Sequence, residues 1–187
     1  MSMNDAERAR WLLDRGVDPQ AFRTTLKLCG NSPIHDYLMS DINKTKVTAL
    51  SPTGKARPAD CSFVLDLMCK ELLLSGRNAA IFDLIQVHTA LFKDTDVAAE
   101  TLSMLNTVDF IAIRSFYTVE WGKTGYFTAE QQDEFQFWAR TRLRSGHHLL
   151  LESDLPLAET ECMWPSRFVS LLLSDCRLFG VAKVVRP

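Results

Sequence analysis

Apolar and polar positions follow two different periods along this chain. From residue 46 onward, short β-branched and apolar runs alternate with stretches of helical periodicity, and this order is typical of a parallel sheet flanked by helices. Several runs are apolar throughout, as expected for strands that are buried on both faces. The predicted strands are residues 46–50, 79–85, 109–116, 147–152 and 178–185.

Helical patterns fill the segments between the strands. An apolar stripe marks a helix over residues 60–75, which Gly76 ends. Residues 96–106 are helical by pattern, and a capping box that starts at Thr128 opens a helix over 128–145. We therefore expect an α/β fold, namely a three-layer α/β/α sandwich on a mainly parallel five-stranded sheet.

The first 45 residues predict a short N-terminal helical arm. So short a segment cannot bury a good core alone, and we expect the arm over residues 1–45 and an α/β domain over residues 46–187. The pattern within the arm indicates a helix over 5–16 with Trp11 on its apolar side, a second helix over 19–29, and a short helix or irregular connection over 34–43.

Composition limits the function classes. The chain has 187 residues, 47% of them hydrophobic, and a formal net charge of −2, which argues against a surface that is a nucleic-acid footprint throughout. Its five cysteines include no Cys-x-x-Cys pair, which argues against a zinc site or a disulfide framework. The N-terminus is charged, and no apolar run approaches the ~20 residues that span a bilayer. These features predict a soluble cytoplasmic protein without a metal or a cofactor.

The segment between the first predicted strand and the next helix lies where nucleotide-binding proteins carry a phosphate loop. Against the Gly-x-x-x-x-Gly-Lys-Ser/Thr pattern, Ser51 replaces the first glycine, Ala56 the second, Arg57 the lysine and Pro58 the hydroxyl residue, whereas Gly54 keeps a glycine at an interior position. Because backbone N–H groups build the phosphate cradle, Pro58 removes a donor as well as the hydroxyl that would hold magnesium. The segment predicts a degenerate nucleotide site.

The third predicted strand carries a second departure. Where a nucleotide hydrolase has acidic residues that hold magnesium and orient water, this strand ends in Arg114 and Ser115. The guanidinium stays positively charged at any physiological pH. Both departures predict the architecture of an ATPase without its activity. The alternative is an atypical ATP-binding enzyme in which Lys55 reaches the phosphates from a shifted loop register.

With these elements in this order, residues 45–185 resemble the AAA+ ATPases of the DnaC and IstB type, which are helicase loaders and insertion-element helper ATPases. The resemblance implies a P-loop NTPase-like fold. It rests on the loop over 51–58, the strand over 108–115, the helix that ends at 140–146, the strand and polar turn over 147–156, and the helix over 166–173.

The resemblance also implies roles for individual positions. Ser153 or Asp154 would be a sensor, and Arg167 would act on the nucleotide of a neighbouring subunit. The arm over residues 1–45, with Trp11, would contact a helicase.

Two segments are candidate interaction surfaces. The loop after the third strand carries Trp121, Lys123 and Tyr126. If exposed, these side chains would stack on single-stranded nucleic acid or anchor a protein; otherwise the aromatic residues there belong to the core. Nearby acidic residues favour a protein, because they repel phosphates. Arg140 and Arg144 either complement the dipole at the end of their helix or form a basic contact patch.

The sequence thus predicts a catalytically inactive ATPase-like protein that binds another protein. The expected partner is a replicative helicase, its loader or an ATPase subunit, and the chain would be an adaptor or an inhibitor of it. An atypical ATP-binding enzyme and a single-stranded nucleic-acid-binding protein are the alternatives, and self-association stays open.

Overall fold

One sheet runs through the computed structural model, which describes residues 4–93, 95–118 and 127–184. The strands lie in the order β2-β3-β4-β1-β5, and every neighbouring pair is parallel. The predicted five-stranded parallel sheet is confirmed. Its strands are β1 (Val47–Pro52), β2 (Ala79–Asp83), β3 (Phe110–Tyr117), β4 (His148–Ser153) and β5 (Cys176–Val181).

Helices cover both faces of this sheet, which confirms the predicted three-layer sandwich. One face packs against α1, α2 and α3, and the other packs against α4 to α7. No helix within the described ranges is both long and apolar enough to cross a membrane. The seven α-helices of the described residues are α1 (Asp5–Asp14), α2 (Ser32–Ser40), α3 (Pro58–Leu74), α4 (Leu84–Phe92), α5 (Asp96–Thr107), α6 (Ala129–Arg144) and α7 (Ser166–Leu173).

Alternation along the strands divides the core between the two faces. Successive strand residues point to opposite sides, so Phe110 and Ala112 pack toward α3, whereas Ile111 and Ile113 pack toward α4 to α7. All four side chains are buried. This burial on both faces explains why the central strand is a continuous apolar run.

Three predicted elements differ from the structure. The predicted helix over 19–29 is wrong, because only a 3-10 turn at Pro19–Ala21 and further turns form there. The predicted strand over 79–85 ends at Asp83, where α4 begins, because the Asp83 N–H donates to Gln86 Oε1 (2.8 Å) and caps a helix. The last strand begins at Cys176, two residues before its predicted start, and ends at Val181, before its predicted end at residue 185.

Side chains of α3 replace the helical hydrogen bonds that residues 19–29 lack. Lys70 Nζ donates to the carbonyl oxygens of Ala21 (2.8 Å) and Thr24, and the Leu26 N–H donates to Glu71 Oε1 (2.8 Å). Lys70 and Glu71 are both buried, and burial lowers the pKa of Lys70. The backbone of the arm is therefore held by buried charged groups of α3.

The turn after α1 lies against the edge strand β2. The Ile81 N–H donates to the carbonyl of Arg15 (2.9 Å), which covers a backbone donor at the edge of the sheet. Gly16 has a φ of +79°, and a Cβ there would lie 2.4 Å from the Ile81 carbonyl oxygen. Only glycine fits this close approach.

Replacing Gly16 by alanine should destabilise the protein strongly. We expect Gly16→Ala to lower the free energy of unfolding by about 2–4 kcal/mol, because the methyl group collides with a backbone carbonyl in addition to the unfavourable φ. The matched control is Gly146→Ala, since Gly146 has a φ of +85° and a Cβ there would meet no atom within 4 Å. That variant should lose only about 1 kcal/mol. Urea unfolding followed by circular dichroism measures both, and equal losses would contradict the close-approach explanation.

Candidate functional site

The candidate site lies at the edge of the sheet where β1, β3 and β4 end. Parallel strands bring their carboxyl ends to one edge, and ligands of open α/β sheets bind there. Residues 51–58, here named the phosphate-loop segment, connect β1 to α3 at this edge. The structure therefore brings the segment together with Arg114 and Ser115 at the end of β3.

The first half of the phosphate-loop segment extends the sheet. Ser51 and Pro52 pair with Gly180 and Val181 of β5, and the Thr53 N–H and hydroxyl both donate to the Val181 carbonyl (2.9 and 3.1 Å). Gly54 then turns the chain with a φ of +60°. Gly54, the glycine that the segment shares with the phosphate-loop pattern, thus lies in a tight turn. In this turn the Ala56 N–H donates back to the Thr53 carbonyl (3.1 Å).

The second half of the segment is capped by an acid from its own helix. The Arg57 N–H donates to Asp60 Oδ2 (2.8 Å), and the Asp60 N–H donates to the Arg57 carbonyl (2.8 Å). Asp60 is 2% exposed, whereas Lys55 and Arg57 are exposed. A carboxylate therefore occupies the helix N-terminus, the place where the helix dipole favours a bound anion.

Arg114 is engaged inside the protein. Its Nη2 donates to Asp66 Oδ1 of α3 and to the Gly16 carbonyl (3.1 Å). Asp66 Oδ1 also accepts the Asp18 N–H (2.9 Å). Burial raises the pKa of Asp66 to about 6, although the Arg114 guanidinium opposes the shift. The cation at the end of β3 thus neutralises a buried acid and ties the arm to the sheet.

Ser115 and Glu152 connect the ends of β3 and β4. Ser115 has a φ of +53°, the one positive φ of a non-glycine residue in the described part of the chain. Its N–H donates to Glu152 Oε2 (2.6 Å). Glu152 is 1% exposed, and burial raises its pKa to about 7, while the Ser115 N–H bond lowers it and Asp154 raises it.

Acidic groups surround Cys61 at the start of α3. Burial, together with the smaller effects of Glu152, Asp60 and Asp154, raises the pKa of the Cys61 thiol to about 12. The described residues contain no group of three or more His, Cys, Asp or Glu side chains that could hold a metal ion.

Glu152 is the site residue that sequence analysis missed. The signal that could have found it is an acid that ends an otherwise apolar strand.

The positions with implied roles lie in different surroundings. Ser153 is buried, and its Oγ accepts the Leu155 N–H (3.3 Å), whereas Asp154 is partly exposed. Arg167 on α7 pairs with Asp133 on α6 (2.9 Å). Both side chains of that pair are largely exposed, so the pair adds little stability.

The candidate interaction residues that the structure describes are not brought together. Trp121, Lys123 and Tyr126 lie outside the described residues. Trp11 is partly buried and packs against the core that contains α3. Arg140 and Arg144 line a cavity of about 400 Å³ together with Lys46, at the start of β1 and so at the opposite edge from the phosphate-loop segment.

Solved structures of other proteins share this fold. The structure of DnaI superposes with a TM-score of 0.64 at 10% identity, covering 90% of this chain and 94% of that one. AMPPCP-bound DnaA from Aquifex aeolicus gives 0.61 at 14% identity over 88% of this chain. A putative primosome component from Streptococcus pyogenes serotype M3 gives 0.57 at 13% identity, covering 83% of this chain and 79% of that one. The chain shares the fold of these DnaA and DnaI structures.

The likeness to the AAA+ proteins is one of fold. The chain spans about half (51%) of the length of the DnaA structure, and identities of 10–14% carry no residue-level assignment. No protein-family model and no curated protein matches the sequence. In a P-loop fold the first βα turn holds the phosphates and the end of the third strand holds the metal ligands, and these are the positions of the phosphate-loop segment and Arg114.

The raised pKa of Glu152 predicts a pH-dependent stability. Because its folded-state pKa of about 7 exceeds the ordinary 4.5, its protonated form contributes stability that is fully present below pH 4.5 and lost as the pH rises through about 7. We expect Glu152→Gln, which keeps an acceptor for Ser115, to be more stable than wild type near pH 8 by roughly 1–3 kcal/mol. Unfolding by urea between about pH 5 and 8 measures the difference, and a gap that does not widen with pH would contradict the assignment.

Removing the Arg114 guanidinium should leave Asp66 buried without a counter-charge. We expect Arg114→Met to lower the free energy of unfolding by about 3 kcal/mol at neutral pH. The double variant Asp66→Asn/Arg114→Met should recover part of this loss, because the amide oxygen still accepts the Asp18 N–H and no lone charge remains. Urea unfolding of both variants tests the pair, and a harmless single substitution would show that Arg114 is not held by Asp66.

Proposed function

We propose that this chain is a catalytically inactive AAA+-like protein that binds a replication helicase, its loader or a related ATPase, as an adaptor or an inhibitor. The catalytic inactivity is proposed from the phosphate-loop segment. Its backbone N–H groups at Thr53, Ala56 and Arg57 already donate to acceptors within the chain. Phosphate binding in this fold depends on such donors being free.

Charge at the same edge supports this proposal. Asp60, Glu152 and Asp154 lie around Cys61, so a triphosphate would approach acidic groups. Arg114 stands where a metal ion needs carboxylate ligands, and it is committed to Asp66 and Gly16. Nucleotide binding would have to break this set of buried contacts, each of which is costly to leave unpaired.

The kind of partner is proposed from the proteins that share the fold. The solved structures that superpose on this chain include the replication initiator DnaA, DnaI and a putative primosome component. In a domain of this architecture whose loop donors are already paired within the chain, the outer surfaces of the helices are what is left to act. Such a chain would act through contacts with another protein.

Calorimetry with nucleotide tests the inactive half of the proposal. We expect no saturable heat from MgATP or MgADP up to about 1 mM ligand, which corresponds to a binding free energy weaker than about −4 kcal/mol. Lys55→Ala is the matched control, because Lys55 is exposed on the loop and should make no difference. Micromolar binding that Lys55→Ala abolishes would overturn the proposal in favour of an atypical nucleotide site.

Direct binding measurements test the partner half. The immobilised full chain should bind the purified replicative helicase, loader or initiator of its own cell saturably, with the same affinity whether or not nucleotide is added to this chain. The steady-state ATPase rate of the bound partner should change. Absence of binding to all three proteins would overturn this half, while the calorimetric result would stand by itself.

A further inference from the structure

A cavity of about 400 Å³ lies at the edge of the sheet opposite the phosphate-loop segment. It is formed where α6 and α7 end and where β1 begins. Volumes of about 300–1,000 Å³ are typical of small-molecule sites, which combine mostly apolar walls with a few placed polar groups. We name it the basic cavity, because its apolar walls are Val47, Leu143 and Leu171 and its cations are Lys46, Arg140 and Arg144.

The three arginines near the end of α6 differ in their bonding. Arg142 is buried, and its guanidinium donates to the carbonyl oxygens of Leu105 (2.8 Å) and Asp109 (2.9 Å). Arg140 and Arg144 line the basic cavity, and neither side chain has an ion pair or a hydrogen bond with the residues that the structure describes. The fold therefore uses Arg142 itself and leaves two guanidinium groups uncommitted at the cavity.

The dipole of α6 does not account for both uncommitted arginines. A cation at the end of a helix is favourable, but Lys46 Nζ already donates to the Leu143 carbonyl (2.9 Å) at that end. Arg140 and Arg144 are four residues apart and thus on one face of the helix, where like charges disfavour helix formation. An anion bound between these two guanidinium groups would replace their repulsion by attraction.

The charges around the basic cavity favour a ligand with a single negative charge. Asp175 also lines the cavity, but it has no ion pair with the three cations in the part of the chain that the structure describes. The lining side chains therefore supply three positive charges and one negative charge. The carboxyl ends of α6 and α7 each add about half a negative charge, so an excess of roughly one positive charge is left for a ligand.

We propose that the basic cavity binds a small organic carboxylate. Arg140 and Arg144 hold the carboxylate group, and Val47, Leu143 and Leu171 contact the apolar body of the ligand. The guanidinium group matches the geometry of a carboxylate, to which it donates two parallel hydrogen bonds. Because the apolar walls remove the body of the ligand from water, the charge alone supplies only part of the affinity.

The position of the basic cavity separates this ligand from a nucleotide or a nucleic acid. The cavity shares no residue with the phosphate-loop segment, so its ligand does not depend on the proposed function. The earlier turns of α6 carry Glu130, Asp133 and Glu134, which repel a long polyanion. A small carboxylate at the end of the helix does not meet these acids.

Isothermal titration calorimetry of the full chain with hexanoate tests the class of ligand. We expect saturable binding with a dissociation constant below about 1 mM. Hexanamide has the same apolar body without the charge, and acetate has the charge without most of the body, so each should bind at least tenfold more weakly. Absence of hexanoate binding, equal binding of hexanamide or acetate, or tighter binding of inorganic phosphate would overturn the proposal.

Substitutions around the basic cavity test its location. Arg140→Gln and Arg144→Gln should each weaken hexanoate binding at least fivefold, whereas Asp175→Asn should tighten it, because a negative charge at the cavity is removed. Arg144 is exposed, so its variant decides the matter even where Arg140→Gln fails to fold. Lys27→Gln is the matched control, since it removes one positive charge from an exposed position of the arm. An equal effect of Lys27→Gln and Arg144→Gln, or weaker binding by Asp175→Asn, would overturn the site.

Discussion

The ion pair between the buried Asp66 and the partly buried Arg114 joins three parts of the molecule. Asp66 belongs to α3 and Arg114 to β3. In the turn after α1, the Asp18 N–H donates to Asp66, and the Gly16 carbonyl accepts from Arg114. A buried pair is weak evidence for stability, because desolvation offsets much of the attraction. Its effect here is positional, since satisfying both charges requires the arm, α3 and the central strand to meet in one arrangement.

The same physical constraint recurs along α3. Lys70 and Glu71 follow Asp66 on the buried side of the helix and bond to backbone groups of the arm, and Glu71 Oε2 lies 2.7 Å from His35 Nδ1. The stretch over residues 19–29, which forms no α-helix, must satisfy its backbone groups by other means. Buried charged side chains supply those partners, so the arm packs into the core that contains α3.

Local patterns predicted the parts of the fold that depend on local physics. Buried strands are apolar runs, and the capping box at Thr128 starts α6, so both could be recognised from neighbouring residues. The irregular stretch over residues 19–29 could not be recognised in this way, because its partners on α3 lie 45 or more residues away in sequence. Arg57 in place of the phosphate-loop lysine and Arg114 in place of an acidic residue could be recognised by comparison with the sequence pattern of a nucleotide hydrolase. Glu152 could have been noticed as an acid that ends an apolar strand, but its burial depends on strand order, which no local pattern contains.

Charge satisfaction differs between the two ends of the molecule. At the nucleotide edge Asp60, Arg114 and Glu152 each have a partner within the chain, so the fold needs no ligand there to neutralise its buried groups. The one buried side-chain polar atom without a hydrogen-bond partner among the described residues is Arg140 Nε, beside the cavity at the opposite edge of the sheet. A buried polar group without a partner costs stability, so the phosphate-loop segment is the better satisfied of these two edges.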